Sequence, residues 1–413
     1  MSDKKKNIFI IGNGAVVSAL AKKLAKSSHV DTIFATCSMS FANSVFTSVD
    51  IREDDLTGLL KFAIDNDIDL TIPVSNKALK SDIVGFFSEN GQKIFGPIAD
   101  ACNIATSNVF GKKFLYKIHA QTSKFGVYDK IQQAETFLKT AAFPITIKTD
   151  EYDNLEDRLV CPTTSIAASF LDALFSKNET NVLIEEYTYG TNFTVYFVTD
   201  GYGALPITSV RNYKFMEDGD AGILTNGTAC FAPDYKVSEL TLSRVENVVR
   251  NTLTALEKKG TPYVGILGVD CIMTAPDKFY VNEFKPFFQN FDAAAVLNLI
   301  EDDLIDVFMA CIDGIFADEW ENIKLNNFSS VSSVVLSTKS GSLISGLEHF
   351  VDDECLDFSS NIKSADGKFL ADKGEVFVIT HTSSTLNRAK SRVYQDLELI
   401  NFVGMKYRKD ILP

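Results

Sequence analysis

The first hundred residues alternate short apolar runs with amphipathic segments, and that alternation constrains the fold more than any other feature of the chain. Ile8 to Ile11, Thr32 to Thr36, Leu70 to Val74 and Lys93 to Phe95 read as strands, and the stretches near 15–27, 55–66 and 77–90 as helices. Strands separated by crossover helices build a parallel sheet, so the expected fold class is α/β with an N-terminal doubly wound parallel sheet. Gly12-Asn13-Gly14 follows the first strand and opens a helix, which is the place for a phosphate-binding turn. The third glycine of a GxGxxG fingerprint is replaced by Val17, and Cys37 rather than an acid ends the second strand. A tight structural turn is therefore expected, and a dehydrogenase is disfavoured.

At 413 residues the chain has room for about three domains. Residues 102 to about 187 read as a smaller α+β unit with a helix over 107–118, a strand ending at Lys148, a helix near 165–176 and the strand Val182 to Glu186. Residues 190–325 supply several strands and helices near 239–257 and 300–315. From about 328 the chain turns to short β segments, Ser332 to Ser337 and Glu375 to Thr380 among them, followed by a helix over 384–397.

Charge and cysteine usage exclude several functions. The net charge of -14 disfavours nucleic-acid and anionic-membrane partners, which need a positive face. Any phosphate-bearing ligand must then be met by a few local cations. The seven cysteines lack CxxC spacing and read as reduced, buried residues, and no apolar stretch near the start is long enough for a signal peptide or a span. A cytoplasmic location is expected, and a homodimer is the prior for a protein of this size.

The segment VDCIMTAPDKFYVNEFK at 269–285 reads as a β-hairpin whose turn is centred between Pro276 and Asp277. That register puts Asp270 directly across from Glu283. Like charges opposite each other on a sheet are destabilising, and a bound Mg2+ removes the penalty while taking phosphate oxygens of a nucleotide. A surface hairpin with two solvated acids is the competing reading. Lys148 ends the apolar run PITIK, and Lys112 lies in the helix SNVFGKKFL. Two lysines converging from different elements could neutralise α- and β-phosphates; taken singly, each is an ordinary surface lysine. Ile184-Glu185-Glu186-Tyr187 suits a hinge that offers backbone groups to adenine and a carboxylate to ribose, or else a plain strand exit.

Six segments, in order, resemble the phosphoribosylamine-glycine ligase family of the ATP-grasp superfamily. They are FGPIADACNIATSNVFGKKFL, FPITIKTD, VLIEEYTYG, LPITSVRNYKFMEDGDAGILTNGT, VNEFKP and the closing NFVGMKYRKDI. The resemblance implies a pre-ATP-grasp domain over 1–101 and an ATP-grasp domain over 102–327, with a mobile subdomain at about 120–187. A small β-rich C-terminal domain over 328–413 completes the chain. It implies ATP and Mg2+ as cofactors, and small-molecule carboxylate and amine substrates joined through an acyl phosphate. Lys112, Lys148, Glu185, Glu186 and Tyr187 would then bind nucleotide, Asp270 and Glu283 would hold metal, and Lys214 and Lys285 are the catalytic candidates.

Departures from the family pattern cluster at the chemistry. Where the family has a glycine-rich phosphate loop, this chain has Glu151-Tyr152-Asp153-Asn154-Leu155-Glu156-Asp157-Arg158, four acids against one arginine. Lys285 replaces the asparagine of the metal motif, and Glu375 replaces a phosphate-binding arginine. An acidic lid and a lysine in the metal shell lean against efficient phosphoryl transfer. Two readings stay open: an active ligase, with a changed amine substrate, or a nucleotide-binding or structural relative. Lys285 also admits neutralisation of Asp270 and Glu283 without metal.

Overall fold

The structure, a computed structural model, describes residues 4–37, 45–151, 155–177, 181–350, 354–365 and 368–412. Its N-terminal part is a four-stranded parallel sheet. Lys6–Gly12 lies between Val30–Ala35 and Leu70–Val74, and the two-residue strand Thr47–Ser48 is at the edge. All five residues of Leu70–Val74 are buried, as expected of a strand covered on both faces. The expected strand at Lys93 to Phe95 is reduced to a single parallel bridge between Thr71 and Ile94. The expected helix over 77–90 is two, Asn76–Lys80 and Ile83–Glu89, because Asp82 between them takes the left-handed conformation (φ 56°) that an α-helix does not propagate.

A nine-stranded, mostly antiparallel sheet dominates the rest of the chain. The hairpin strands Val264–Ala275 and Lys278–Lys285 form one edge, followed by Thr191–Asp200, Ala204–Glu217 and Ala221–Ala232. The short C-terminal β segments join this same sheet. Ser329–Ser337 pairs with Ala221–Ala232 and carries Gly374–Ser383 on its other side. Sequence patterning shows each segment but not this continuity, which depends on pairings a hundred residues apart.

The small unit forms a separate four-stranded sheet in the order Phe125–Tyr128, Val182–Glu186, Ile145–Lys148, Arg158–Cys161. The helices Ile131–Leu138 and Thr164–Ser176 pack on it around Ile145, Ile147, Leu171 and Ile184. All seven cysteines are buried, and none is in a disulfide. Among the described residues no helix is long and apolar enough to cross a membrane.

Candidate active site

Two lysines from separate elements meet on one carboxylate. Lys112 lies on the buried face of the helix Asn108–Lys117. Ser107 caps that helix by accepting from the Phe110 N–H, and Asp150 accepts from Val109 N–H at 2.9 Å and Ser107 Oγ at 2.6 Å. The segment just after Lys148 is thus latched to the start of the helix that carries Lys112. Gly111 lets this helix approach closely, since a Cβ there would stand 2.4 Å from the Ile104 carbonyl oxygen. Lys148 ends a strand in which Thr146 pairs with Glu185, so Lys148 and Glu185 are diagonal neighbours on one face. Lys112 Nζ reaches Glu185 Oε2 at 2.8 Å, and Lys148 Nζ reaches Glu185 Oε1 at 2.7 Å.

All three side chains are buried, which makes their charge balance consequential. Burial alone would raise the Glu185 pKa, but the two ammoniums outweigh it and hold the carboxyl down at about 2. Lys148 is pulled below its usual range by desolvation, with Glu185 opposing. One carboxylate does not compensate two desolvated ammoniums, so the pair has a standing attraction for a further anion. Of the two hinge acids, Glu185 has its oxygens held by lysines, which leaves Glu186 as the carboxylate open to a ribose. Glu186 is exposed and lies 3.4 Å from Lys124, and Tyr187 sits edge-on to Tyr189 with ring centroids 4.9 Å apart.

The hairpin folds in the expected register, Asp270 opposite Glu283 and Ala275 opposite Lys278, with two compensating irregularities between. Its electrostatics differ from expectation. Asp270 is fully buried and accepts from Lys214 Nζ at 2.6 Å and Asn282 Nδ2 at 2.9 Å on one oxygen. The other oxygen accepts from Thr194 Oγ1 at 3.1 Å and Asn212 Nδ2 at 3.4 Å. Four donors saturate the carboxylate in this arrangement. Glu283 has Lys214 Nζ 3.8 Å from one oxygen and Arg158 3.7 Å from the other. Burial is the largest single influence on Lys214 and lowers its pKa, but Asp270 and Glu283 together outweigh it and raise the pKa.

Lys285 also departs from expectation. It is 2% exposed, lies over the Phe291 ring at 5.1 Å, and is not among the residues lining the cleft. Burial pulls its pKa down, with Asp270 opposing. Neutralisation of the acid pair falls instead to Lys214, which the sequence singled out without this role.

Three acids of the expected lid are described. Asp157 is buried against Lys177 at 2.8 Å, Glu151 makes a backbone bridge to Ser107, and Glu156 is exposed. Of the described residues in this segment, only Arg158 lines the cleft. Asp153 lies outside the described residues.

The cleft itself has a volume of about 310 Å3. Lys148, Arg158, Lys214 and Asn282 line it, together with Glu186, Tyr187, Gly190 and Ile272. A Cβ on Gly190 would stand 2.3 Å from the Met273 carbonyl oxygen, so glycine is what lets the 187–190 segment lie against the hairpin. Cations together with aromatic and aliphatic side chains suit a polyphosphate joined to a planar base.

A second chamber of about 240 Å3 opens between the parallel sheet and the large one, lined by Asn13, Glu53, Ser75, Asn76, Asn290 and Glu375. Asn290 donates to Glu375 Oε2 at 2.9 Å and accepts from the Val16 N–H at 3.1 Å. The turn at Gly12–Gly14 is thus occupied by Asn290, in keeping with a structural turn. Lys77, at the edge of this chamber, is paired with Asp54 at 2.9 Å.

Comparison with known proteins matches this architecture throughout. Three family models described as phosphoribosylglycinamide synthetase fit the chain: the N domain over residues 6–105, the ATP-grasp (A) domain over 106–293 and the C domain over 336–412. Phosphoribosylamine–glycine ligase of Caldanaerobacter subterraneus is 28% identical, over 98% of this chain and 99% of that protein. Its counterpart in Halalkalibacterium halodurans is 29% identical, over 98% and 96%. The fold is shared with the crystal structure of the Thermotoga maritima phosphoribosylamine–glycine ligase, with a TM-score of 0.82, 19% identity and coverage of 98% and 100%. A Campylobacter jejuni biotin carboxylase in complex with a β-γ-ATP ligand also shares it, with a TM-score of 0.72, 13% identity and coverage of 98% and 94%.

Proposed function

Because the chain belongs to the phosphoribosylglycinamide synthetase family, with an ATP-grasp domain at its centre, we propose that it is an ATP-dependent ligase joining a carboxylate to an amine. The observation that carries this reading is the pair Lys112 and Lys148 on the single carboxylate of Glu185, a buried net positive charge beside an open cleft. ATP-grasp enzymes use ATP and Mg2+, and the cleft supplies cations for the polyphosphate and apolar and aromatic side chains for adenine. The metal ligand set is a different matter: Asp270 is saturated by four donors and both Glu283 oxygens face cations.

In this reading ATP lies with its adenine near Tyr187 and its phosphates toward Lys148, Arg158 and Lys214. The substrate carboxylate attacks the terminal phosphorus, ADP leaves, and the amine displaces phosphate from the acyl phosphate. The protein contributes position and charge: Lys148 and Arg158 offset the negative charge on the transferred group without having to reorganise. Of the described acids of that segment, Glu151, Glu156 and Asp157 do not line the cleft, which weakens the electrostatic objection to catalysis that their sequence raised.

Glycine and phosphoribosylamine, named in the relatives' titles, are the reference pair of substrates. The amine would occupy the second chamber, where the Glu53 and Glu375 carboxyls can accept from its N–H groups. The same reading has the protein in the cytoplasm, as a homodimer, without nucleic-acid or membrane partners. The test is a coupled assay of ADP release with a panel of carboxylates and amines that includes glycine with phosphoribosylamine. ADP release that requires both partners is expected. Thermal stabilisation by ATP without ADP release from any pair would leave a nucleotide-binding protein instead.

A further inference from the structure

The cations already present at the acid pair have a consequence for how nucleotide binds. Mg2+ is held by one or two free carboxylates, and it gives up its waters reluctantly. Asp270 offers none of its oxygens, since Lys214 and Asn282 fill one and Thr194 and Asn212 the other. Glu283 has a cation within 4 Å of each oxygen, Lys214 at 3.8 Å and Arg158 at 3.7 Å. Lys148 and Lys285 add to the positive field at this carboxylate. A divalent ion placed on Glu283 would therefore meet several fixed positive charges at short range, and every one of them repels it.

The same side chains provide what the ion would have brought. Lys214 and Arg158 both line the nucleotide cleft; Lys214 donates to Asp270 at 2.6 Å, and Lys214 and Arg158 stand 3.8 and 3.7 Å from Glu283. An ammonium has three donors and a guanidinium five, so both side chains carry the N–H groups that phosphate oxygens accept from. A cation that bridges carboxylate and phosphate is the geometric job of the metal, here built into the chain.

Resting on the reading that the cleft is a nucleotide site, we propose that this protein binds ATP and ADP without a divalent cation, with Lys214 and Arg158 standing where a metal would bridge Glu283 and the polyphosphate. The ligand class is a free nucleoside di- or triphosphate rather than its magnesium complex.

Calorimetric titration of the full chain with ATP, once in EDTA and once in excess Mg2+, tests this. The dissociation constant in EDTA is expected to stay within about tenfold of the Mg2+ value. Weakening by more than about tenfold in EDTA would overturn the proposal and leave the ligase reading standing, whereas no binding in either buffer would overturn both. Arg158→Gln leaves the Lys214–Asp270 pair in place, which protects the fold. That variant is expected to lose about tenfold or more in EDTA and to recover part of it with Mg2+. Unchanged affinity of Arg158→Gln in EDTA would show that Arg158 does not fill the metal's place.

Discussion

The Lys214 ammonium lies 2.6 Å from a carboxylate oxygen of Asp270, and the Asp270 side chain is wholly shielded from solvent. The pair spans two strands, Ala204–Glu217 and Val264–Ala275, that are not adjacent but flank Thr191–Asp200. It therefore ties the floor of the cleft across three strands. Lys214→Met should leave a buried carboxylate uncompensated and cost about 3–5 kcal/mol. Adding Asp270→Asn should return most of that loss, because Thr194, Asn212 and Asn282 remain as partners. Denaturant unfolding of both variants measures it, and a double variant no more stable than the single one would contradict the pairing.

Lys148→Ala removes an ammonium that the cleft presents to phosphate, while Lys112 continues to neutralise Glu185. The variant should fold with modest loss of stability. Its ADP release should drop by about a hundredfold or more, with the deficit in kcat rather than in KM for the amine. A KM effect confined to the amine would place Lys148 elsewhere in the mechanism.

Acid sensitivity should trace to Glu185. Its carboxyl titrates at about 2 in the folded protein against 4.5 for the unperturbed group, burial being outweighed by Lys112 and Lys148. A depressed folded pKa contributes stability above the unfolded value and loses it as pH falls toward the folded one. Stability should thus decline between about pH 4.5 and 2, more steeply in the wild type than in Glu185→Gln. Unfolding midpoints of the two proteins measured across that window should converge as pH falls; parallel curves would deny Glu185 the role.

In the second chamber, Glu375 bonds Asn290 at 2.9 Å, and burial raises its pKa. Glu375→Arg should lower KM for an amine carrying a phosphate by about tenfold, because it replaces a repulsive charge with an attractive one. An unchanged KM would place the amine outside this chamber.

Much of this architecture is legible in the sequence, for identifiable reasons. Local patterns set the strand Val182–Glu186, the helix Asn108–Lys117 and the hairpin register, because alternation, capping and turn chemistry act over a few residues. The convergence of Lys112 and Lys148 is what the family resemblance implies, and no local signal gives it. What stayed hidden were the partners. Glu185 looked like a free hinge acid, although a residue one position from an exposed Glu186 on a strand points the other way, toward the lysines. The acids of 151–158 counted as a repulsive lid because sequence gives charge but not direction. Lys214 could have been paired with Asp270 from one cue, an ionic residue on each of two buried strands, since such charges are buried only when compensated.

The central claim is that the lysine pair and Arg158 hold ATP for attack by a carboxylate. Positional isotope exchange reads that step directly, using ATP labelled at the oxygen bridging its β- and γ-phosphorus atoms. Reversible acyl-phosphate formation frees the β-phosphate of bound ADP to rotate, which scrambles the label. Scrambling that requires glycine, occurs without net turnover and vanishes in Lys148→Ala is the predicted result. Retention of the label in wild-type protein that demonstrably binds ATP and is saturated with glycine would contradict the account.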